Sequence, residues 1–150
     1  MLKRPGMTST SCKEECEALM SAVLPAAEQM LSEHQLLRPF GCTLSADDRI
    51  AQVGGHTPAP TLDDASLIAQ FREAFRDGAL RGELKATALA YSAESAVPGK
   101  VASQPAVFVH LNHRDNYSIV VTFPYHFSSQ GELVIEEPFA NDGEHDVFSG

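Results

Sequence analysis

Basic residues are scarce in this sequence. Its 150 residues include 11 Lys and Arg against 20 Asp and Glu, which gives a formal net charge of −9 at pH 7. A protein of that charge is not attracted to the phosphates of nucleic acids or to anionic lipid headgroups. We therefore expect neither a nucleic acid nor a membrane as a partner.

Cysteines and long apolar runs are also scarce. Cys12, Cys16 and Cys42 are too few, and odd in number, for a secreted disulfide framework. The longest apolar runs, around Val107 and Val120, are far shorter than the roughly 20 residues of a membrane span, and the basic start is not followed by the apolar segment of a signal peptide. These absences predict a soluble, cytoplasmic protein.

Motifs of known catalytic or cofactor specificity are missing as well. The glycine pair at 54–55 lacks the lysine of a phosphate loop. Cys12 and Cys16 lie one helical turn apart but supply only two metal ligands, and His110 and His113 fall on opposite faces of a strand. We expect His110 on the sheet surface and His113 in a turn, both partly solvated. We expect no catalytic residue, no metal site and no cofactor.

What the sequence does contain indicates one globular domain. A chain of 150 residues with 43% hydrophobic residues is large enough for a single core. Its periodicities predict an α+β fold, with two main helices packed on an antiparallel sheet of five to six strands in the order helix, β-hairpin, helix, β-meander. We expect this domain at 12–140, between a flexible N-terminal tail at 1–11 and an acidic C-terminal tail at 141–150.

The first helix and the hairpin have clear patterns. Apolar residues recur every three or four positions from Cys16 to His34, and Pro25 inside this stripe is expected to kink the helix. An acidic turn then separates two short apolar segments, which predicts strands at 40–44 and 49–53.

The second helix has signals at both ends. A loop is predicted at 54–60, and Thr61 is the expected N-cap because its hydroxyl can accept a hydrogen bond from the first turn. Gly78 or Gly82 is expected to end the helix.

Four segments rich in β-branched and aromatic residues predict a meander. They lie at 83–92, 106–112, 117–125 and 132–136. In the central hairpin, the apolar residues of both strands lie on the same face of the sheet if Leu111 is opposite Ile119 and Val109 is opposite Val121. That register requires a three-residue loop at 114–116, with Asn116 in the left-handed conformation.

The strands divide into two faces. Ala86, Ala88 and Ala90 form a small-residue surface, the alanine face, on which we expect both helices. The opposite, mixed face is then uncovered although it carries large apolar groups, each worth about 2 kcal/mol when buried. The candidate binding or interface residues on it are Leu89, Tyr91, Phe108, His110, Asn112, Val120 and Thr122.

Three interpretations of the mixed face stay open. It is the interface of a homodimer or of a complex with another protein. It is core, if the two helices pack on opposite faces of the sheet. It is the pocket of a small-molecule-binding protein or an unrecognised enzyme. The pocket residues would be Tyr91, Phe108, His110, Asn112 and Thr122.

The acidic charge is concentrated near the C-terminus. Residues 132–150 contain six Asp and Glu and neither Lys nor Arg. This distribution suits a regulatory or immunity-like role toward a basic protein partner.

Four short segments carry a resemblance to a known group of proteins. They are LPAAE at 24–28, PFG at 39–41, FPY at 123–125 and EPFA at 137–140. Their order and spacing over about residues 20–140 resemble a scattered family of small uncharacterised bacterial proteins. The resemblance implies a helix–hairpin–helix–meander domain and no particular activity. The order of elements is also similar to roadblock or profilin-like folds, which mostly serve binding and scaffolding.

Overall fold

An antiparallel sheet lies between two helices in the computed structural model, which describes residues 5–35, 37–54, 63–145 and 147–148. The elements are α1 (Pro5–His34), β1 (Phe40–Ser45), β2 (Ile50–Val53), α2 (Asp64–Leu80), β3 (Leu84–Ser95), β4 (Gln104–His113), β5 (Tyr117–Phe127), β6 (Leu133–Ile135) and β7 (Phe139–Asp142). The α+β class and the predicted order of elements are confirmed. The sheet has seven strands, because β7 adds one to the predicted meander.

The strands follow the order β2-β1-β3-β4-β5-β6. The free edge of β5 is shared by two short strands: β6 pairs with its end, Tyr125 to Phe127, and β7 with its beginning, Ile119 to Thr122. The central hairpin has the predicted register, with Leu111 opposite Ile119. Asn116 in its loop has a φ of 66°, as predicted from its tolerance of the left-handed region.

Helix α1 is longer than predicted. It begins at Pro5 instead of near Cys12, so residues 5–11 are helical and the predicted N-terminal tail is wrong over that segment. Proline is favoured in the first turn because the amide it lacks would have no acceptor there. The helix continues through Pro25 to His34. Its apolar stripe packs on the alanine face and includes Cys16, Leu19, Val23, Ala27 and Leu31.

The N-cap of α2 lies two residues after the predicted one, and the helix begins at Asp64. Asp63 is the N-cap, and its carboxylate accepts a hydrogen bond of 2.8 Å from the amide of Ser66. Thr61 and most of the predicted loop at 54–60 lie outside the described residues. The helix ends at Leu80. Gly82 follows with a φ of 72°, the left-handed conformation in which glycine commonly ends a helix, as predicted.

The prediction that both helices cover the alanine face is wrong. Helix α2 packs on the mixed face, where Phe75 contacts Leu89. A Cβ atom at Gly41 would lie 2.6 Å from the ring of Phe75 and 2.8 Å from the carbonyl oxygen of Ala88, so the missing side chain at Gly41 allows this close approach. The stripe of α1 already fills the alanine face, and the apolar face of α2 is buried against the other side. The two helices therefore lie on opposite faces of the sheet, and α2 covers the part of the mixed face that includes Leu89.

The described part of the predicted acidic tail, residues 141–145 and 147–148, packs on the sheet. The last two residues of β7, Asn141 and Asp142, belong to it and pair with β5. Val147 is 3% exposed and packs with Phe75 and Leu89, beside Phe148. Val147 and Phe148 pack on the mixed face because burial there removes their apolar surface from water.

Candidate interaction surface

Four of the predicted site residues form one partly exposed cluster on the mixed face. Tyr91 of β3 lies opposite Phe108 of β4, and His110 of β4 lies opposite Val120 of β5. All four side chains are half-buried. We call this group the aromatic patch.

The rings of the aromatic patch are stacked. The ring centroids of Tyr91 and Phe108 lie 5.6 Å apart and those of Tyr91 and His110 lie 5.3 Å apart, with interplanar angles of 15° and 26°. The hydroxyl of Tyr91 and Nε2 of His110 are 2.7 Å apart in a hydrogen bond. Burial raises the pKa of Tyr91 above its usual value of 10.0. Stacking and hydrogen bonding therefore hold the three rings as one rigid surface.

The other three predicted site residues are buried. Leu89 is 3% exposed beneath α2, and Asn112 and Thr122 are 5% and 1% exposed. Leu89 belongs to the core between α2 and the sheet, and Thr122 lies between Phe108 of β4 and Phe139 of β7. These three residues are therefore not part of the exposed surface of the patch.

The space beside the patch is small. A cavity of about 10 Å³ lies under α2, lined by Arg72, Phe75, Thr87, Leu89, His110, Asn112 and Val147. That volume has room for about one water molecule, whereas pockets for small molecules have volumes of roughly 300–1,000 Å³. The geometry at this position gives no support to the small-molecule interpretation.

The sequence interpretation missed the residues that cover the mixed face. Phe75 and Val147 cover Leu89. Arg72 of α2 also reaches this region, where its Nη1 atom is 3.9 Å from Oε1 of Glu144. The sequence does contain a signal for this cover, because Val147 and Phe148 are adjacent apolar residues in an otherwise acidic segment.

His113 is buried in the interface between β4 and α1, at 2% side-chain exposure, so the prediction of a partly solvated turn residue is wrong. Its Nδ1 atom accepts a hydrogen bond of 3.0 Å from the amide of Asp115. The proton is therefore on Nε2, which donates to Oε1 of Glu15 over 2.6 Å. His110 and His113 lie on opposite faces, as predicted, and do not converge on one ion.

Glu15 joins this histidine to a second cation. Its Oε2 atom accepts from Nζ of Lys85 over 3.2 Å, and the same ammonium group also donates to Asp48. Partial burial acts to raise the pKa of Glu15, but the hydrogen bonds from His113 and Lys85 outweigh it and lower the pKa below 4.5. The carboxylate is thus a charged bridge between α1 and the sheet.

The three cysteines are free thiols in the interior. Burial raises the pKa of Cys12 and Cys42 to about 11 and that of Cys16 to about 12. Thiols with such pKa values are protonated at neutral pH, and a protonated thiol is a poor nucleophile and a poor metal ligand. Across the described ranges, no three His, Cys, Asp or Glu side chains are grouped as metal ligands.

Part of the C-terminal acidity is neutralised within the fold. Glu136 accepts hydrogen bonds from Nζ of Lys100 at 2.6 Å and from Nε2 of Gln104 at 2.9 Å, and its Oε2 atom is 2.8 Å from Nδ1 of His126. The hydrogen bonds from Lys100, Gln104 and His126 lower the pKa of Glu136 to about 2. The other acidic side chains described in this region, Glu132, Glu137, Asp142 and Glu144, are exposed.

Comparisons of the chain with protein-family models, curated proteins and solved structures find no match. The resemblance to small bacterial proteins stays a prediction. None of the described helices has both the length and the apolar character needed to cross a membrane.

Proposed function

We propose that this protein acts by binding instead of catalysis, and that it forms a homodimer through the aromatic patch. The observation that carries the proposal is the stack of Tyr91, Phe108 and His110, which is half-buried on the mixed face, where Tyr91 packs beside the Phe75–Leu89 core. Rigid aromatic side chains are favoured at protein interfaces because they bury a large area at a low cost in conformational entropy.

The charge of the chain limits where two copies can meet, and the patch is compatible with that limit. Two copies that each carry a net charge of −9 repel one another wherever their carboxylates meet. The aromatic patch contains no carboxylate, and nearby Glu144 lies within 3.9 Å of Arg72. Two copies therefore meet at the patch with less repulsion than at the acidic surfaces of the molecule.

An interface of ordinary size also needs the neighbouring strand. A stable dimer buries about 800 Å² on each partner, which is more than four half-buried side chains supply. Phe139 of β7 is half-buried and pairs with Thr122 at the border of the patch. We include Phe139 and the exposed side of β7 in the proposed interface.

The proposal includes a cytoplasmic location and a regulatory or immunity-like role. The three buried thiols support a reducing compartment, since free cysteines are typical of cytosolic proteins. The acidic surface supports a basic protein as a further partner.

Sedimentation of the full chain tests the dimer. We expect the wild type to sediment at about twice its chain mass of 16.2 kDa, and Phe108→Asp to sediment as a monomer, because the substitution places two carboxylates against each other across the interface. Val120→Lys is a second variant of the patch. Val101→Asp is the matched control, because Val101 is fully exposed in the connection between β3 and β4.

The folding of each variant is checked by circular dichroism and thermal melting. A wild-type chain that stays monomeric at high micromolar concentration contradicts the proposal. A folded Phe108→Asp variant that dimerises as well as Val101→Asp contradicts it too.

A further inference from the structure

An open groove lies between α1 and the β5–β6 hairpin, on the opposite face of the sheet from the aromatic patch. Its volume is about 490 Å³. Glu28 and Ser32 of α1 form one wall. The turn before β6 and β6 itself form the other wall, with Gly131, Glu132, Leu133 and Ile135. We call this space the acidic groove.

The acidic groove combines an apolar floor with negative charge. Leu133 and Ile135 are partly buried and pack against the main core, and the lining includes two acidic residues, Glu28 on one wall and Glu132 on the other. Its lining contains neither Lys, Arg nor His. In the part of the chain that the structure describes, neither carboxylate forms an ion pair. This lining is complementary to a ligand that carries both cations and apolar groups.

The backbone of β6 adds directional hydrogen-bonding groups to the groove. The amide of Ser128 donates to the carbonyl of Glu132, and the amide of Glu136 donates to the carbonyl of Pro124. In an antiparallel pair the backbone groups of successive residues point alternately toward and away from the partner strand. The N–H and C=O groups of Leu133 and Ile135 therefore point away from β5, toward the outer edge of the sheet.

That outer edge is unpaired among the described strands. β6 is the last strand in the sheet order, and its only partner there is β5. Leu133 and Ile135, whose backbone groups face outward, are the same residues that form the floor of the groove. An exposed edge of this kind pairs readily with an added strand.

We propose that the acidic groove binds an extended basic segment of another protein, which adds as a strand to the edge of β6. Backbone hydrogen bonds to Leu133 and Ile135 hold the segment, and its Lys or Arg side chains reach Glu28 and Glu132. The net charge of −9 attracts such a segment from a distance. A two-fold symmetric contact between two copies at the groove would bring two sets of these acidic residues together, so we assign the groove to another protein.

This inference rests on the basic protein partner of the proposed function and is independent of the proposed homodimer, since the groove and the aromatic patch share no residue. The homodimer and the groove are tested separately on the same variants. Sedimentation of the groove variants shows whether the dimer still forms, and peptide binding by Phe108→Asp shows whether the groove still binds.

Fluorescence anisotropy with a labelled peptide of alternating Lys and Val tests the groove. We expect the wild type to bind this peptide, and Glu28→Lys and Glu132→Lys each to weaken binding at least about tenfold. Glu17→Lys and Glu137→Lys are matched controls, because they make the same change of charge at exposed positions outside the groove. We expect these controls to weaken binding by less than about threefold.

Peptides with N-methyl groups at alternate residues test the strand addition itself. N-methylation removes an amide donor, so methylation in the register that faces β6 should weaken binding at least about tenfold, while methylation in the other register should not. Equal binding by both methylated peptides overturns strand addition. Failure of the wild type to bind at about 1 mM peptide, or an equal loss in groove and control variants, overturns the groove as the site.

Discussion

The carboxylate of Glu15 connects α1 to the sheet at one buried position. It accepts the Nε2 proton of His113, a side chain that is 2% exposed, and also binds Lys85. A buried donor that loses its acceptor costs about 1–3 kcal/mol. We expect Glu15→Ala to lower the free energy of unfolding by that amount, measured by urea denaturation. Glu14→Ala, at the exposed neighbouring position, is the control, and an equal effect of both variants would show that the hydrogen bond contributes nothing.

For single residues, the sequence predicts the face of the sheet on which a side chain lies better than it predicts how exposed that side chain is. The two-residue period of strands places all seven candidate residues on one face, and the registers of β3, β4 and β5 confirm this. The period carries no information on what lies above that face. The burial of Leu89 depends on Phe75 and Val147, which are 14 and 58 residues away in the chain. The period therefore cannot separate the three buried residues from the four that are partly exposed.

Elements were predictable where the signal is local. The register of the β4–β5 hairpin follows from its apolar pattern and from one residue, Asn116, that tolerates a positive φ. The side of the sheet on which α2 packs was not predictable, because both faces carry apolar residues. It depends on a tertiary fit, in which Gly41 leaves space for the ring of Phe75. β7 was missed because it is only four residues long, two of them polar, and three of the four are exposed.

The C-terminal segment after β7 contributes to the stability of α2 on the sheet. Val147 is 3% exposed and contacts the Phe75–Leu89 core. We expect Val147→Ala to lower the free energy of unfolding by about 2 kcal/mol, because it removes buried methyl groups and leaves a cavity. The control is Val101→Ala at a fully exposed position, which we expect to change the free energy of unfolding by less than about 0.5 kcal/mol. Equal urea midpoints for the two variants would mean that the segment is not packed in solution.

For the whole molecule, the position of the acidic side chains matters more than their number. Glu15 and Glu136 are held by cations within the fold, whereas Glu28 and Glu132 line an open groove. The paired carboxylates stabilise the fold, and the groove carboxylates are those that we propose to contact a partner. The net charge of −9 therefore describes two populations of carboxylates with different roles.

The stability of the whole molecule should fall in acid through the paired carboxylates. The pKa of Glu136 is about 2 in the folded protein, against a usual value of 4.5, because Lys100, Gln104 and His126 donate hydrogen bonds to it. A pKa that is lower in the folded state means that the unfolded chain binds the proton first, so this contribution is complete above pH 4.5 and is lost as the pH falls toward 2.

Glu136→Gln removes the titrating group and keeps the size of the side chain. We expect the variant to be less stable than the wild type at neutral pH, and its free energy of unfolding to decrease less steeply between pH 4.5 and pH 2. Glu137→Gln, at the exposed neighbouring position, should keep the wild-type slope. Urea denaturation at a series of pH values measures all three slopes. If Glu136→Gln and the wild type lose stability in parallel, the cations around Glu136 do not hold it in solution as they do in the structure.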